Sequence, residues 1–367
     1  MMAAALADRV RFGVLTTAVD ASLPARETVD GVPVFRIEVD VRSRWSKASA
    51  SLRLVRRLLE IHRDFEIVHL HGFSQKNVLV TWAARLARKR LVLTLHTAGQ
   101  DEPDAVRRAG PIAYRSFLTA DIVLAVSPRL RDAYVRAGAP ADRVRLAPNG
   151  IDTRRFHPVG EEAQTALRAS LNLPPDRPIV LFVGFFSRDK RPDLLFRAWQ
   201  RAIEEHGIDT TLVFVGATEP TYYEVDNNLA LEIRDAAARA GSTDRVRFVP
   251  PTNDIARYFQ AADVFVLASA REANPVALLE AMACGVPSIA ARLPDATDVI
   301  IEDGVNGRLF AVDDEAALAC TLADMLRDKP AAHAMGARGR DTVVTRFDVA
   351  RAAEAWLSAY RHAAAPI

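Results

Sequence analysis

Two glutamates, Glu272 and Glu280, lie in a segment whose other residues predict how each carboxylate is held. Asn274 is a favourable N-cap, Pro275 suits the first position of a helix, and Gly285 suits the position just beyond the helix end. The pattern therefore predicts a helix that contains Glu280 and a preceding loop that contains Glu272.

These groups suit a ligand that carries a phosphate, a ribose and a second sugar. The backbone N–H groups of Val276 and Ala277 lie at the positive end of the predicted helix, where they form a site for a phosphate. Glu280 can accept hydrogen bonds from two ribose hydroxyls, and Glu272 at the loop mouth can reach a sugar. An ordinary loop carboxylate and a solvated helix residue are the structural alternative, but the strand predicted over 264–267 and the helix signals favour binding.

A basic loop follows a second apolar strand in the stretch Phe182–Arg191. Gly184 predicts a tight turn, and Lys190, assisted by Arg188, could neutralise a diphosphate. No two aspartates stand two positions apart, so the sequence has no D-x-D motif that would hold a divalent cation on a diphosphate. We therefore predict that protein groups neutralise it without a metal ion, and that the protein needs no cofactor.

Two histidines, His71 and His96, are predicted at the carboxyl ends of neighbouring strands, and both should face the ligand site. His69 alternates with His71 on one strand, where packing or hydrogen bonding explains it equally well.

Composition and missing motifs exclude several classes of protein. The chain has 367 residues, half of them hydrophobic and 26% charged, which is ordinary for a globular protein. It lacks the G-x-G-x-x-G, Walker, G-x-S-x-G and H-E-x-x-H motifs, so simple dehydrogenases, NTPases, hydrolases and zinc proteases lose their usual support. Cys284 and Cys320 have no metal-binding spacing and are predicted to be buried thiols.

The location and the partners are predicted from charge and apolar patterning. No apolar run approaches a membrane span and no signal-peptide core is present, so we expect a cytoplasmic chain. No aromatic and basic platform suggests a nucleic acid partner. Residues 1–160 hold 26 Lys and Arg against 16 Asp and Glu, a charge of +10, whereas residues 161–367 hold 22 against 30, a charge of −8.

A basic amphipathic helix is predicted over 46–63. Its apolar side is predicted from Leu52, Val55, Leu58 and Leu59, and its other side is rich in arginine. A core-facing helix with a solvated basic face is the preferred interpretation, and peripheral contact with an anionic membrane is the alternative. The basic first half favours acceptors such as anionic lipids or polymer intermediates at the cytoplasmic leaflet.

Short apolar runs alternate with helical segments along the whole chain, which predicts parallel sheets with crossover helices. The alternation pauses over 148–178, where Asn149-Gly150 and several prolines break it. We predict a first domain over 1–155, joined by a C-terminal helix over 350–367, and a second domain over 156–349. The site is expected in the cleft between them, because open α/β sheets bind ligands at the carboxyl ends of their strands.

Taken together, these residues resemble the retaining glycosyltransferases of family 4, which have the GT-B fold of two doubly wound, Rossmann-like α/β domains. The resemblance covers nearly the whole chain. The motifs that carry it are Ile67–His71, Thr94–Thr97, Ala120–Ser127, Pro148–Asp152, Val183–Lys190, Leu212–Gly216, and the E-x7-E pair at Glu272 and Glu280.

The resemblance implies transfer of a sugar, with retention at its anomeric carbon, from a UDP- or GDP-sugar to a hydroxyl. The acceptor would be lipid-linked, a polysaccharide or a small molecule. By resemblance, Glu280 holds the donor ribose, Glu272 and His71 hold the transferred sugar, and Lys190 holds the diphosphate. The leaving phosphate would accept the proton of the acceptor hydroxyl.

Two departures from the family pattern keep other functions open. Phe185 stands where many members have an arginine. The family's first strand, glycine-rich loop and first helix are not recognisable before Val10, so we expect either that the true start lies upstream of this sequence or that the chain is truncated. The alternatives are a non-catalytic or truncated sugar-nucleotide-binding protein, and a GT-B sugar-nucleotide epimerase.

Overall fold

The computed structural model describes residues 2–218 and 225–365. The chain forms two compact units, Met1–Gly150 with Val349–Ile367, and Ile151–Asp348. The last two residues of the predicted C-terminal helix, 366 and 367, lie outside the described part of the chain.

The elements of the two units alternate along the sequence. The strands are β1 (Val14–Ala18), β2 (Arg26–Val29), β3 (Val32–Glu38), β4 (Ile67–His71), β5 (Arg90–Leu95), β6 (Ile122–Ala125), β7 (Val144–Leu146), β8 (Ile179–Val183), β9 (Thr211–Val215), β10 (Val246–Val249), β11 (Val264–Leu267), β12 (Ser288–Ala291) and β13 (Arg308–Phe310). The helices are α1 (Met2–Ala5), α2 (Arg44–Glu60), α3 (Gln75–Leu86), α4 (Pro103–Arg108), α5 (Pro111–Phe117), α6 (Pro128–Arg136), α7 (Glu161–Ser170), α8 (Pro192–His206), α9 (Asn227–Arg239), α10 (Ile255–Ala261), α11 (Val276–Ala283), α12 (Glu315–Arg327), α13 (Lys329–Arg346) and α14 (Val349–Ala364).

The second unit is built on a six-stranded parallel sheet with the strand order β10-β9-β8-β11-β12-β13. Successive strand residues point to opposite faces, so Val180 and Phe182 join one core and Ile179 and Leu181 join the other. Helices α8, α9 and α12 supply the first core, and α10 and α11 supply the second. Because both faces are covered, the strands consist almost wholly of apolar residues, as the doubly wound prediction requires.

The first unit contains two sheets. Strands β4, β5, β6 and β7 form a parallel sheet in that order, and β3 lies between β1 and β2 in a separate three-stranded sheet. Within the described residues, no strand is hydrogen-bonded to both sheets, so the sheet of β1 is separate from the sheet of β4. Strand β2 was not predicted, although Asp30 and Gly31 form a two-residue turn with φ of 49° and 79° that joins it to β3. This conformation is typical of a tight hairpin.

Helix α2 differs from its prediction in the face that it buries. The helix faces the core, as predicted, but its buried residues are Ala50, Leu54 and Leu58, spaced by four, and only Leu58 of these was predicted on the core side. Leu52 and Leu59 were placed on the core side, but both are exposed. The period of the helix turns them away from the buried stripe.

The boundary between the units lies a few residues before the predicted one. The Ile151 N–H donates to the Phe347 carbonyl at 2.8 Å, and Ile151 also pairs with Asp348. Phe156 belongs to a core of the second unit. Residues 151–155 therefore belong to the second unit and not to the first.

Helix α14 brings the end of the chain into the first unit. Trp356 and Tyr360 on this helix pack with Leu6, Val92 and Leu124 in one core.

The prediction that both thiols are buried is wrong for Cys320. Cys284 is buried after α11, whereas Cys320 is exposed. Leu318, Ala319 and Leu322 form the buried face of α12, which leaves Cys320 on the outer side.

Candidate functional site

The loops after β8 and β11 meet where the strand order of the second unit reverses. From β8 the sheet runs outward through β9 to β10, and the chain then returns to place β11 on the other side of β8. The two strands are parallel neighbours, so both loops leave the same edge of the sheet. In open α/β sheets, this reversal point is where ligands bind.

The loop after β11 leads into the helix that the sequence predicted. Helix α11 begins at Val276, and Gly285 follows its end with φ of 72°. The Gly285 and Val286 N–H groups donate to the Met282 and Ala281 carbonyls at 2.9 and 3.1 Å, the bonding pattern of a glycine-terminated helix.

The start of α11 lies one residue later than predicted. Pro275 has φ of −71° and an extended ψ of 107°, so it precedes the helix and occupies the N-cap position assigned to Asn274. Asn274 is buried just before it. Val276 and Ala277 are thus the first two helical residues, and their N–H groups have no acceptor within the helix. The predicted location of an anion-binding helix end is unchanged.

Glu280 lies in the middle of α11 and is only partly accessible. Burial raises the pKa of its carboxyl to about 7, and the positive charge of Arg155 opposes this shift. A carboxyl with this pKa is poorly solvated when it is ionised, so donors that approach it, such as hydroxyls, bind strongly.

The loop after β8 is anchored by an aromatic side chain. Phe186 is fully buried, with its ring centroid 5.3 Å from that of Phe214. The Gly184 N–H donates to the Val215 carbonyl at 3.0 Å. Gly216 approaches Gly184 so closely that a Cβ on Gly216 would collide with the Gly184 carbonyl. The loop that carries Lys190 is therefore packed tightly against the end of β9.

The two loops are joined by reciprocal ion pairs. Lys190 Nζ lies 2.6 Å from Glu272 Oε1, and Arg271 pairs with Asp189. The Ala270 N–H also donates to the Asp189 carbonyl at 2.8 Å. We call the segments 184–190 and 268–275 the paired loops. The structure thus brings together the residue predicted to hold the diphosphate, Lys190, and one predicted to hold the transferred sugar, Glu272.

Arg188 was predicted to assist Lys190, but its guanidinium pairs with Asp226 at 3.1 Å. Asp226 caps helix α9 through the Asn228 N–H at the same time. Arg188 is 73% exposed, and the structure does not bring it to Lys190. Its predicted role stays a prediction.

The predicted histidines lie in the first unit and contact each other. His71 Nδ1 lies 3.0 Å from His96 Nε2, and their rings are nearly parallel. The removal of water around His71 lowers its pKa to about 4, and the charge of His96 adds to the shift. His69 is hydrogen-bonded to the hydroxyls of Tyr360 and Thr94 at 2.7 and 2.6 Å. These bonds agree with the prediction that packing or hydrogen bonding explains this residue.

Comparisons with known proteins place the chain in a family. Residues 1–155 match the model for Glycosyltransferase Family 4, and residues 163–342 match that for Glycosyl transferases group 1. A D-inositol 3-phosphate glycosyltransferase of Xylanimonas cellulosilytica is 32% identical over 331 residues, which are 83% of this chain and 74% of that protein. The chain belongs to glycosyltransferase family 4. It is therefore similar throughout to glycosyltransferase enzymes, as the motifs predicted.

Other members and structures agree with this assignment. An alpha-maltose-1-phosphate synthase of Mycolicibacterium smegmatis is 32% identical over 254 residues, covering 67% of this chain and 64% of that one. The structure of sucrose-phosphate synthase from Thermosynechococcus elongatus matches with a TM-score of 0.80 and 26% identity, covering 98% and 91% of the two chains. HepE of Anabaena, solved with UDP-glucose, matches with a TM-score of 0.76, 19% identity and coverage of 95% and 99%. These likenesses confirm the GT-B fold.

Phe185, the position where the family resemblance led us to expect an arginine, is half-buried beside the anchoring Phe186. Asp189 and Arg271, which join the paired loops, were missed by the sequence analysis. No local signal marks them, because their pairing depends on the contact between β8 and β11. Within residues 2–218 and 225–365, no group of three or more His, Cys, Asp and Glu could hold a metal ion.

We predict that Glu280→Gln stabilises this glycosyltransferase at high pH and not at low pH. In the folded state the Glu280 carboxyl has a pKa of about 7, against an ordinary 4.5, so its ionisation destabilises the fold. This destabilisation is absent below pH 4.5 and fully present above pH 7. Glutamine removes this cost, and we expect up to about 3 kcal/mol of additional stability at pH 8. Urea unfolding at pH 4 and pH 8 measures it.

The matched control is Glu204→Gln, which changes an exposed carboxylate on α8. Its effect on the free energy of unfolding should be small at both pH values. A Glu280→Gln effect that does not grow between pH 4 and pH 8 would contradict the assigned burial of this carboxyl.

Proposed function

We propose that this enzyme transfers a sugar from a UDP- or GDP-sugar to an acceptor hydroxyl, with retention at the anomeric carbon. The observation that supports this most is the arrangement at the edge of β8 and β11. A cation, Lys190, lies 2.6 Å from the carboxylate of Glu272, beside a helix that begins at Val276 and contains a second carboxylate, Glu280. A nucleoside diphosphate sugar needs these same kinds of groups.

Each part of the donor has its own group in this proposal. Lys190 and the Val276 and Ala277 N–H groups neutralise the diphosphate, in the ground state and more strongly as it departs. Glu280 accepts hydrogen bonds from the ribose hydroxyls. Glu272 binds hydroxyls of the transferred sugar. No metal ion is required, because the cation and the helix end supply the positive charge.

The ion pair between Lys190 and Glu272 prepares both groups for the donor. A partly buried cation without a partner would be costly, and Glu272 keeps Lys190 neutralised until a diphosphate replaces it. Each group is then released toward its own part of the donor, Lys190 to phosphate and Glu272 to sugar. This exchange couples occupancy of the phosphate site to availability of the sugar-binding carboxylate.

His71 is proposed to contact the transferred sugar as an uncharged ring. With a pKa of about 4, it is neutral at physiological pH and acts as a hydrogen-bond partner, not as a cation. In this proposal the two carboxylates hold the sugar and the ribose, and the leaving phosphate accepts the proton of the attacking hydroxyl, as the family resemblance implies. Attack from the side that the phosphate leaves is consistent with retention.

The acceptor is proposed to carry a negative charge. The relatives are named for D-inositol 3-phosphate, maltose 1-phosphate and sucrose phosphate. The first 160 residues of this chain have a charge of +10, from 26 basic and 16 acidic residues. Phosphorylated small molecules therefore join lipid-linked and polysaccharide intermediates as acceptors to be tested.

A nucleotide panel tests the proposal. We expect one of UDP-, GDP- or ADP-sugar to raise the melting temperature of the wild type and to be consumed when an acceptor is present, with or without EDTA. Ligand at 100 times its dissociation constant adds about 2.7 kcal/mol of stability. Glu280→Ala should lose the thermal shift, whereas Glu204→Ala should keep it, and His71→Ala should keep the shift but lose turnover.

The outcomes separate the alternatives. Binding without consumption by the wild type, with every acceptor class present, would favour a non-catalytic sugar-nucleotide-binding protein. Conversion of one nucleotide sugar into another would favour an epimerase. Failure of every nucleotide to bind would contradict the assignment of the two glutamates.

We further propose that α2, α3 and α5 contact an anionic membrane surface. No helix in the described ranges is long and apolar enough to cross a membrane. Large apolar side chains are nevertheless exposed on these three neighbouring helices, and together we call these side chains the α2–α3 surface. They are, with the exposed fraction of three of them, Trp45 (87%), Leu52 (64%), Leu59, Leu79, Trp82, Leu86 (81%) and Ile112. Leu59 and Leu86 line one hollow with Arg88.

Positive charge surrounds the α2–α3 surface. Helix α2 has five basic residues and one acidic residue, and α3 has Lys76 and Arg85 with no acidic residue. Exposed tryptophan and leucine beside basic residues suit the interface of an anionic bilayer, where apolar burial and charge attraction act together.

We predict that the wild type sediments with vesicles that contain phosphatidylglycerol and not with pure phosphatidylcholine, and that added salt weakens the association. Trp45→Ala with Leu86→Ala should reduce binding by about tenfold or more, because it removes two apolar anchors. Leu231→Ala, an exposed apolar residue of the second unit, is the control and should bind normally. Equal binding to both vesicle types, or none to either, would contradict the membrane proposal.

A further inference from the structure

Asp101 is a buried carboxylate in the loop that follows β5, and it is only 3% exposed. Its Oδ1 accepts a hydrogen bond from the Phe73 N–H at 2.7 Å. Its Oδ2 accepts from the His96 and Thr97 N–H groups at 2.8 and 2.9 Å. Phe73 follows β4, whereas His96 and Thr97 follow β5. One side chain therefore binds the ends of two neighbouring strands.

These two strand ends carry the histidine pair. His71 is the last residue of β4, two residues before Phe73, and His96 is itself held by Asp101 through its N–H. The hydrogen bond between His71 Nδ1 and His96 Nε2 spans 3.0 Å. Its length depends on the relative position of the two loops, which are joined by the bond from the Gly72 N–H to the Thr94 carbonyl at 2.8 Å and by the Asp101 side chain.

Burial of the charged Asp101 carboxylate costs free energy that a purely structural residue could avoid. Burial raises the pKa of its carboxyl, and the three N–H groups counteract this shift only in part. An apolar side chain would avoid the cost of a buried charge but would leave the three backbone donors without this acceptor. Among side chains of this size, only a carboxylate has two acceptor oxygens, and together they can accept all three hydrogen bonds.

We propose that Asp101 is a positioning residue for His71, because it holds the loops after β4 and β5 so that the His71–His96 hydrogen bond forms. This inference rests on the proposed function, in which His71 contacts the transferred sugar. Asp101 itself has no contact with the substrate in this account.

The test compares Asp101→Asn with Asp121→Asn. Asparagine keeps the size of Asp101 but replaces one acceptor oxygen by an NH₂ group that opposes a backbone donor. Asp121 is a matched control in the same unit. It accepts the Leu91 N–H at 2.7 Å at the opposite end of β5 and is also paired with Arg85.

The first readout is histidine NMR, which does not require activity. The titratable groups around His71 are His69 and His96, with Tyr360 behind His69. In the wild type, we expect His71 to titrate below the ordinary 6.5, because its ring packs against those of His69 and His96 and the charge of His96 opposes its own. In Asp101→Asn its pKa should move toward the ordinary 6.5, and in Asp121→Asn it should stay at the wild-type value.

The second readout is kinetic. Asp101→Asn should lower kcat by about 10- to 100-fold, the effect of a misplaced catalytic group, while the dissociation constant of the nucleoside diphosphate changes less than twofold. Asp121→Asn should leave both constants near the wild-type values, even where its melting temperature falls as far.

Three results would overturn the proposal. They are an unchanged His71 titration in Asp101→Asn, an unchanged kcat, or equal losses of kcat in the two variants. If Asp101→Asn does not fold, the wild type still decides: the amide protons of Phe73, His96 and Thr97 must share the titration of the Asp101 carboxyl, and independent behaviour contradicts the shared acceptor. A wild type without transferase activity would refute the proposed function, whereas the NMR comparison would still test Asp101.

Discussion

Strand β11 pairs with β8 even though two further strands separate them in the sequence, and the candidate site follows from that pairing. The pairing brings the loop of Lys190 beside the loop of Glu272 and places α11 at the same edge. Both faces of the sheet are covered by helices, so the apolar cores fix the strand positions and the loops above them.

The charges of the site are held in states that a donor can change. Lys190 is neutralised by Glu272, and the carboxyl of Glu280 ionises only near pH 7. The ion pair is mostly shielded from solvent, so it interacts more strongly than an exposed pair, but a diphosphate offers Lys190 more negative charge than one carboxylate does. Exchange of partners, and not creation of new charge, is thus the basis of the proposed binding.

Local patterns predicted the elements well but could not predict contacts between distant segments. The strands of the second unit, the helix around Glu280 and the terminal glycine at Gly285 all follow from periodicity and capping rules. The start of α11 was misplaced by one residue, because Asn274 is the better N-cap residue by type, whereas Pro275 has an extended ψ and itself precedes the helix. The pairs Lys190–Glu272 and Asp189–Arg271, and the bonds of Asp101, depend on strand order, which no local pattern specifies.

The most direct test of the account is a crystal structure of the chain with its nucleoside diphosphate sugar bound. We expect the diphosphate at the start of α11 within hydrogen-bond distance of Lys190 Nζ, the ribose on the Glu280 carboxylate, and the Lys190–Glu272 pair opened. A nucleotide that binds away from the edge of β8 and β11, or one that leaves Lys190 paired only with Glu272, would contradict the central claim.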